Sequence, residues 1–505
     1  MNYIDYMKLN PFQRFWYKLS SGLKAFPKKL LAFFAAIGRF FVKLFVGIGK
    51  AVAGYFVRFF KGDWATKISY VVMGFGNAAK GQIVKGILFL GVEAAYVAYM
   101  LFFGIGQMEY FGTLGTIQTV EVPNYETGEW DVIIGHDSRK FLLYGVLTIL
   151  ITLVFLVVYF ASIKSAYKAQ QTKAAGEKLP TFMDEVRDLL DNKFHITLLS
   201  FPTLTIAIFT IIPMLFMILM AFTNYDSNHQ APGNLFTWVG FDTFGEIFDI
   251  ANSPRNAHTF IELTKWTIIW AIFATVLNYI FGMVVALMIN KKGIKLKALW
   301  RTLFVVTIAV PQFVTLLLMN QMLAENGGAI NVLLCDTLHL LPAPVNFLGG
   351  DVLTAKITII IVNCWIGIPY TILITSGILM NIPADLYESA TIDGAGPVRS
   401  FFSITLPYML FVTTPYLITS FIGNINNFNV IYLLTMGTGG PKSTEFHAEA
   451  GPVDLLVTWL FKLTTNSKDY NLAAAIGILV FVVCATLSLV TFNLTKSANN
   501  EEDFS

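Results

Sequence analysis

From Phe141 to Ser162 the chain runs FLLYGVLTILITLVFLVVYFAS without one charged residue. Roughly 20 apolar residues suffice to cross the hydrocarbon of a bilayer as a helix. Inside lipid a helix satisfies every backbone polar group within its own segment. Seven further stretches meet that length: Gly86 to Ile105, Leu198 to Phe222, Leu263 to Ile289, Leu303 to Ala324, Ile357 to Met380, Tyr408 to Leu434 and Leu472 to Leu494. Of the 505 residues 55% are hydrophobic and 13% charged, against roughly 25% charged in soluble domains. The expectation is an all-α polytopic membrane protein of about eight transmembrane helices, with both termini on one side.

Lysine and arginine set that side. Every ionic residue between Asp5 and Gly62 is basic, and NKKGIKLKALWR, from Asn290 to Arg301, is basic throughout. Parity puts both on one face, which is predicted to be cytoplasmic, so both termini are expected there. The acidic loop after the first span, with Glu109, Glu121, Glu126, Glu129, Asp131 and Asp137, then falls outside. In AAIGRFFVKLFVGIGKAVAGYFVRFFK, residues Arg39, Lys43, Lys50, Arg58 and Lys61 recur at helical spacings opposite an apolar face. That predicts an N-terminal amphipathic helix lying on an anionic cytoplasmic surface; a partner-binding or autoregulatory helix is the alternative. No secretory cleavage pattern is visible. The domain reading is 1–85 for the basic interfacial region, 86–197 for two accessory spans and a polar linker ending in a short surface helix, 198–494 for the main membrane domain and 495–505 for a cytoplasmic tail.

Cys335, Cys364 and Cys484 have no metal-ligand spacing, and the histidines do not cluster, so neither a metal site nor a disulfide framework is expected. No G-x-x-x-x-G-K-[ST] phosphate loop is present; GTGGPKST, from Gly437 to Thr444, has the wrong spacing. Glu93 in the first span reads either as a hydrogen-bonded helix contact or as a proton-coupling carboxylate. Trp266, Trp270, Trp300 and Trp365 read as packing or interfacial aromatics.

One polar segment interrupts the apolar pattern on the cytoplasmic side: DLYESATIDGAGPVRSFFSITLP, from Asp385 to Pro407. Pro383 suits a helix start, Gly394 and Gly396 permit a turn, and Pro397 suits a second start, so two short helices bent at glycine are expected. Glu388, Ser389 and Ala390, then Gly394 after three residues, then Ile404, Leu406 and Pro407 after nine more, resemble the EAA signature of the transmembrane subunits of ATP-binding-cassette importers. The resemblance implies a coupling helix seated in a groove of an ATPase subunit, with Glu388, Ala390, Asp393 and Gly394 forming the docking element. It also implies a second permease subunit, an extracytoplasmic sugar-binding protein and two partner ATPase subunits; the ATPases alone use ATP, and this chain carries no cofactor. No nucleic-acid partner is expected.

The seventh span carries LITSFIGNINNFNVIYLL, rich in amides for lipid surroundings. Ser420, Asn424 and Asn427 are spaced by four and three, so one continuous helix would align them. That face suits either sugar hydroxyls or interhelical hydrogen bonds. The stretch from Leu198 to Leu494 is similar to the maltose and maltodextrin permeases of the same importer family, in bacterial cell membranes. The similarity implies a sugar site at Ser420, Asn424 and Asn427, with Gly367 and Tyr370 of the GIPY string and Gln312 of AVPQF. Gln312 and Ile308 depart from the family's serine and tyrosine, which bears on sugar length and linkage; the external insertion after the third span is also reduced here. The function read is therefore oligosaccharide import, maltodextrin first, with galacto- or manno-oligosaccharides as alternatives. An ion-coupled secondary transporter would need paired intramembrane carboxylates, and a membrane enzyme a convergent acid, base or nucleophile set. Neither pattern is present.

Overall fold

The computed structural model describes residues 49–494 except 125–127 and 292, with positions 35, 38, 39, 42, 43 and 45–47, and side chains to residue 489. The C-terminal tail and residues 1–34 of the N-terminal region lie outside the described residues. Residues 49–61 are helical, and Arg39, Lys43, Lys50 and Lys61 are helical and exposed.

Seven helices among the described residues are long and apolar enough to cross a membrane: Ile83–Glu109, Ser138–Ala174, Phe194–Met220, Pro254–Asn290, Val352–Met380, Pro397–Ile425 and Tyr470–Leu489. The expected fifth span is different. It is a pair, Lys297–Ile308 and Gln312–Met322, bent by 85°. Pro311 causes the break, because it cannot donate a backbone N–H and pushes the preceding residue out of helical geometry; it caps the second helix at φ −57°, ψ 130°. Eight crossings require this pair to count as one span. Two further boundaries also differ from expectation. The polar linker's first half continues the second long helix to Ala174, and the seventh segment stops at Ile425 and restarts as Phe428–Leu434. Within the loop after the first span, Val120–Pro123 and Trp130–Ile133 form an antiparallel pair, Val120 opposite Ile133. That hairpin was not expected.

The chain divides into two compact units, one of residues 1–219 with 228–238, the other of 220–227 with 239–505. In the first unit, backbone meets backbone at Gly74 and Gly86: a Cβ on Gly74 would lie 2.3 Å from the Gly86 carbonyl oxygen. Glu93 accepts a hydrogen bond from the Met73 N–H at 2.8 Å, so its carboxylate serves this contact. Lys80 is buried and pairs with Asp63 at 3.1 Å. Burial pushes the Asp63 carboxyl up, but hydrogen bonds from Thr66 and the Lys80 charge together hold it below its usual value. The short surface helix Phe182–Leu190 starts in a capping box, Thr181 with Asp184, which satisfies two first-turn donors reciprocally.

The second unit is organised around Pro254–Asn290 and Val352–Met380. A Cβ on Gly282 would lie 2.5 Å from Thr371 Cβ, and one on Gly367 would lie 2.2 Å from Asn278 Nδ2. Small residues at such crossings let helices approach closely enough for dispersion and interhelical hydrogen bonds to hold them. Trp266, Trp270, Leu316, Ile359, Val430 and Leu434 then close a buried cluster that joins four helices. The loop after Leu434 is folded onto this bundle. Lys462 and Asp454, 3% and 1% exposed, pair at 2.7 Å. Asp454 also accepts from the Gly451 N–H and the Thr458 hydroxyl, while Lys462 donates to the Glu449 carbonyl. Gly439 has φ +72°, and a Cβ there would lie 2.1 Å from Asp454 Oδ2. Gly439 of GTGGPKST therefore makes room for a buried carboxylate.

Gly282→Val is expected to lower the apparent Tm of the purified protein in detergent, at a cost of about 1–3 kcal/mol or more from overpacking. Gly377→Ala, where a Cβ meets nothing within 4 Å, should leave it unchanged; equal Tm values for the two variants would refute the close-approach account.

Candidate functional site

Two regions of the second unit gather the residues singled out from sequence. The first lies where the fourth, sixth and seventh segments meet. Asn424 is 8% exposed. Its amide donates to Thr275 Oγ1 at 3.0 Å, and its backbone carbonyl accepts from the Trp270 indole at 3.0 Å. Asn427 donates to Asn424 Oδ1 at 3.3 Å, and its own Oδ1 accepts the Val430 N–H at 3.3 Å. The expected continuous amide face is thereby corrected. The helix ends after Ile425, and Asn427 is the N-cap of the next helix, an ordinary use of asparagine. Asn424 and Asn427 stay in contact across the break, but their amides are committed to protein partners.

Ser420 and Tyr370 are differently placed. Ser420 is half-buried one turn beyond Tyr416 on the same helix, and Tyr370 is 51% exposed. The Tyr370 and Tyr416 rings stand 6.1 Å apart, and the Tyr416 hydroxyl lies 3.3 Å from Thr371 Oγ1. Gly367 is one turn before Thr371 and sits against Asn278. Asn278 was missed in the sequence, although an asparagine in the middle of Leu263 to Ile289 was a visible signal. Its Oδ1 is buried without a hydrogen-bond partner. A buried amide oxygen left unpaired costs about 1–3 kcal/mol, so this position favours a donor from outside the chain. Gln312 is half-buried at the first position of its helix. That helix is tied to the bundle through Leu316, in the buried cluster, and Asn320, which donates to the Leu434 carbonyl at 2.7 Å. The contacts thus join Asn424 to Asn427 and to Thr275, Gly367 to Asn278 one turn further along the same helix, and Tyr370 to Tyr416, one turn from Ser420; Gln312 stands on a separate element.

The second region is the helix Ala384–Ile392. Its C-terminus closes with Ala395 N–H bonded to the Ala390 carbonyl at 2.8 Å and Gly394 N–H to the Thr391 carbonyl at 3.0 Å. This is the Schellman pattern, which needs a left-handed residue after the cap, and Gly394 has φ +74°. A Cβ at Gly394 would meet nothing within 4 Å, so glycine is required there by conformation and not by space. Asp393 is the C-cap. The expected second short helix does not stand alone: Pro397 opens the helix that continues through the seventh span to Ile425. Tyr387 bonds Thr405 at 2.8 Å, fixing the short helix to the base of that span. Glu388 is exposed, as are Ile392 at 86% and Val398 at 72%. An acid beside bare apolar side chains is the composition of a contact surface.

Thr275 and Asn278 of the first region precede Leu287, which packs near Leu406 beside the second region, on the fourth helix, whose 37 residues extend about 55 Å at 1.5 Å per residue. This exceeds the ~30 Å hydrocarbon thickness. Among the described residues no group of three or more His, Cys, Asp or Glu side chains could hold a metal ion. A multi-pass helical bundle with a polar cluster between its helices and an exposed helix-turn at one end has the architecture of a membrane transport subunit.

Comparison with known proteins agrees. Residues 278–498 match the family described as binding-protein-dependent transport system inner membrane component. The maltodextrin transport system permease protein MdxF of Bacillus subtilis is 34% identical over 438 residues, 86% of this chain and 95% of the relative. The galactooligosaccharides transport system permease protein GanP of the same organism is 35% identical over 437 residues, 85% of this chain and 97% of the relative. The maltose/maltodextrin transport system permease protein MalF of Escherichia coli is 34% identical over 276 residues, 54% of this chain and 52% of the relative. A solved bacterial ABC transporter involved in import of the acidic polysaccharide alginate is similar at TM-score 0.48 and 20% identity, over 63% of this chain and 99% of that one. The chain belongs to the binding-protein-dependent transport system inner membrane component family. It is a multi-pass membrane permease and not an enzyme.

Asn424→Ala is expected to destabilise the protein by about 1 kcal/mol, the order of an interhelical hydrogen bond in a membrane, read as a lower Tm in detergent. Ser420→Ala should leave Tm within error. A stability loss at Ser420 equal to that at Asn424 would contradict the division between committed and available polar groups.

Proposed function

We propose that this chain is a permease subunit of an ATP-driven oligosaccharide importer, with maltodextrin as its first substrate. The observation that carries the reading is the exposed Ala384–Ile392 helix, ended by a left-handed Gly394 and presenting Glu388 beside bare apolar side chains. Its partner is the ATPase subunit, where a basic residue would meet Glu388. A second permease subunit, a pair of ATPases and an extracytoplasmic sugar-binding protein complete the assembly, and ATP is consumed by the ATPases alone. Residues 198–494 form the permease domain and 86–197 an accessory region. Both termini face the cytoplasm of a bacterial cell.

In this mechanism ATP binding moves the docked helix, and Tyr387 transmits the displacement to the base of the seventh span through Thr405. Rigid-body motion of a docked element then alternates access to the polar cluster. Sugar hydroxyls meet Ser420 and the Asn278 oxygen, while Tyr370 supplies a ring for an apolar sugar face. Asn424, Asn427 and Gly367 shape the site from behind, and Gln312 acts from the broken fifth segment. The 35% identity to a galactooligosaccharide permease makes that sugar class the second reading.

The test is uptake into proteoliposomes containing the assembled importer, with labelled maltodextrins and galacto-oligosaccharides in parallel. Accumulation is expected only with ATP and the ATPase subunits. Uptake driven by an ion gradient without them would overturn the reading. Glu388→Lys and Gly394→Leu should each abolish ATPase co-purification and uptake while the chain still inserts; wild-type uptake by both variants would sink the docking assignment.

A further inference from the structure

The turn between the fourth helix and the broken fifth segment carries Lys291, Lys295, Lys297 and Arg301, and the chain has no acid between Glu262 and Glu325. Among the described residues none of these four cations forms an ion pair. Lys291 and Lys295 are exposed, whereas Lys297 and Arg301 are half-buried. One residue gathers the half-buried pair. Asn290, the last of the fourth helix, accepts from Arg301 Nη2 on its side-chain oxygen and from Lys297 Nζ on its backbone carbonyl, the latter at 2.9 Å. Its own amide donates to the Ala286 carbonyl at 2.8 Å. Lys297 and Arg301 stand one turn apart on the helix Lys297–Ile308, which begins without a side-chain cap.

This arrangement leaves donors over. Arg301 Nε is buried and has no hydrogen-bond partner. A guanidinium carries five N–H donors and an ammonium three, with no acceptor on either. Asn290 is neutral, so it orients the two cations without offsetting their charge. An anion with several oxygens completes such a site. Phosphate suits it, because a guanidinium grips two phosphate oxygens through its planar fork and the open N–H groups of a first helical turn favour the same charge.

The surroundings decide which phosphate. The fourth helix is charge-free from Trp266 to Asn290, about 37 Å at 1.5 Å per residue, which covers the ~30 Å of hydrocarbon. Thr302 to Ala324 is charge-free as well. Lys297 and Arg301 therefore stand at headgroup level. Leu296, Trp300 and Leu303 beside them are exposed, as suits side chains covered by lipid with a ring at the interface. We propose that Lys297 and Arg301, held by Asn290, bind the headgroup phosphate of an anionic phospholipid, with Lys291 and Lys295 adding attraction for its net charge. Leu287 and Leu406 pack on one buried cluster, so the site lies at the end of the bundle that carries the Ala384–Ile392 helix. Its leaflet is the cytoplasmic one, an assignment that rests on the proposed function.

Native mass spectrometry of the full chain in detergent, titrated with phosphatidylglycerol or phosphatidylcholine, provides the test. The unmodified chain is expected to retain phosphatidylglycerol at a roughly tenfold lower lipid concentration than phosphatidylcholine, and Lys297→Gln with Arg301→Gln should remove that preference. Asn290→Ala, which alters no charge, should weaken retention severalfold and keeps the test decisive if the double variant folds poorly. Lys173→Gln with Lys178→Gln makes the same charge change at exposed positions following the second span and should leave the preference intact. Equal retention of the two lipids by the unmodified chain overturns the proposal, and so does equal loss in the Lys173 and Lys178 variant. Displacement of the lipid by inorganic phosphate alone would make this a site for a free anion and overturn it. Loss of ATPase co-purification in the Lys297 and Arg301 variant, with lipid retention unchanged, would do the same by making the patch a protein contact. Retention is read on the chain without its partners, so its failure is distinct from a failure of ATP-driven uptake.

Discussion

The approach of the fourth helix to the sixth is the constraint on which the second unit depends. Gly282 against Thr371 and Gly367 against Asn278 remove the side chains that would hold the two backbones apart. In lipid there is no hydrophobic drive between helices, so association depends on packing distance and on polar contacts. Once the pair is close, the Trp270 indole can reach the Asn424 carbonyl and the Trp266 indole the Val453 carbonyl. The seventh segment and the loop after it are thereby tied to the same two helices.

The same geometry explains why the polar residues divide into two kinds. Asn424 lies inside the crossing and is consumed by Thr275 and Asn427, so its amide fixes the chain break after Ile425. Ser420 is a turn away on the same helix and half-buried, and Tyr370 is exposed. A sequence pattern of evenly spaced amides cannot distinguish these positions, because spacing specifies a face only while the helix continues. Here it stops two residues before Asn427.

Much of the fold was legible because apolar length and helical geometry are local properties. Charge-free runs such as Phe141 to Ser162 had to be helices, and the glycine turn at Gly394 followed from left-handed geometry that other residues resist. The 85° break had its signal in Pro311, which a count of apolar residues passes over. Less was legible where the cause is distant in the chain. Nothing near Asp454 announces that Gly439 will lie against its carboxylate, and nothing near Asn278 announces Gly367. The pairing of Val120–Pro123 with Trp130–Ile133 was hidden for another reason: each strand has only four residues, and the Val-Glu-Val and Trp-Asp-Val alternation has no buried face behind it.

The Lys462–Asp454 pair has a consequence for recognition at this face. Removing one partner would leave a buried charge uncompensated, so the loop that carries the pair cannot easily rearrange. The segment is preorganised and not a loose tether, with its ordering entropy already spent in folding. A protein that lands on it meets a fixed shape, and changes in what it accepts must come from its surface side chains and not from remodelling of its backbone.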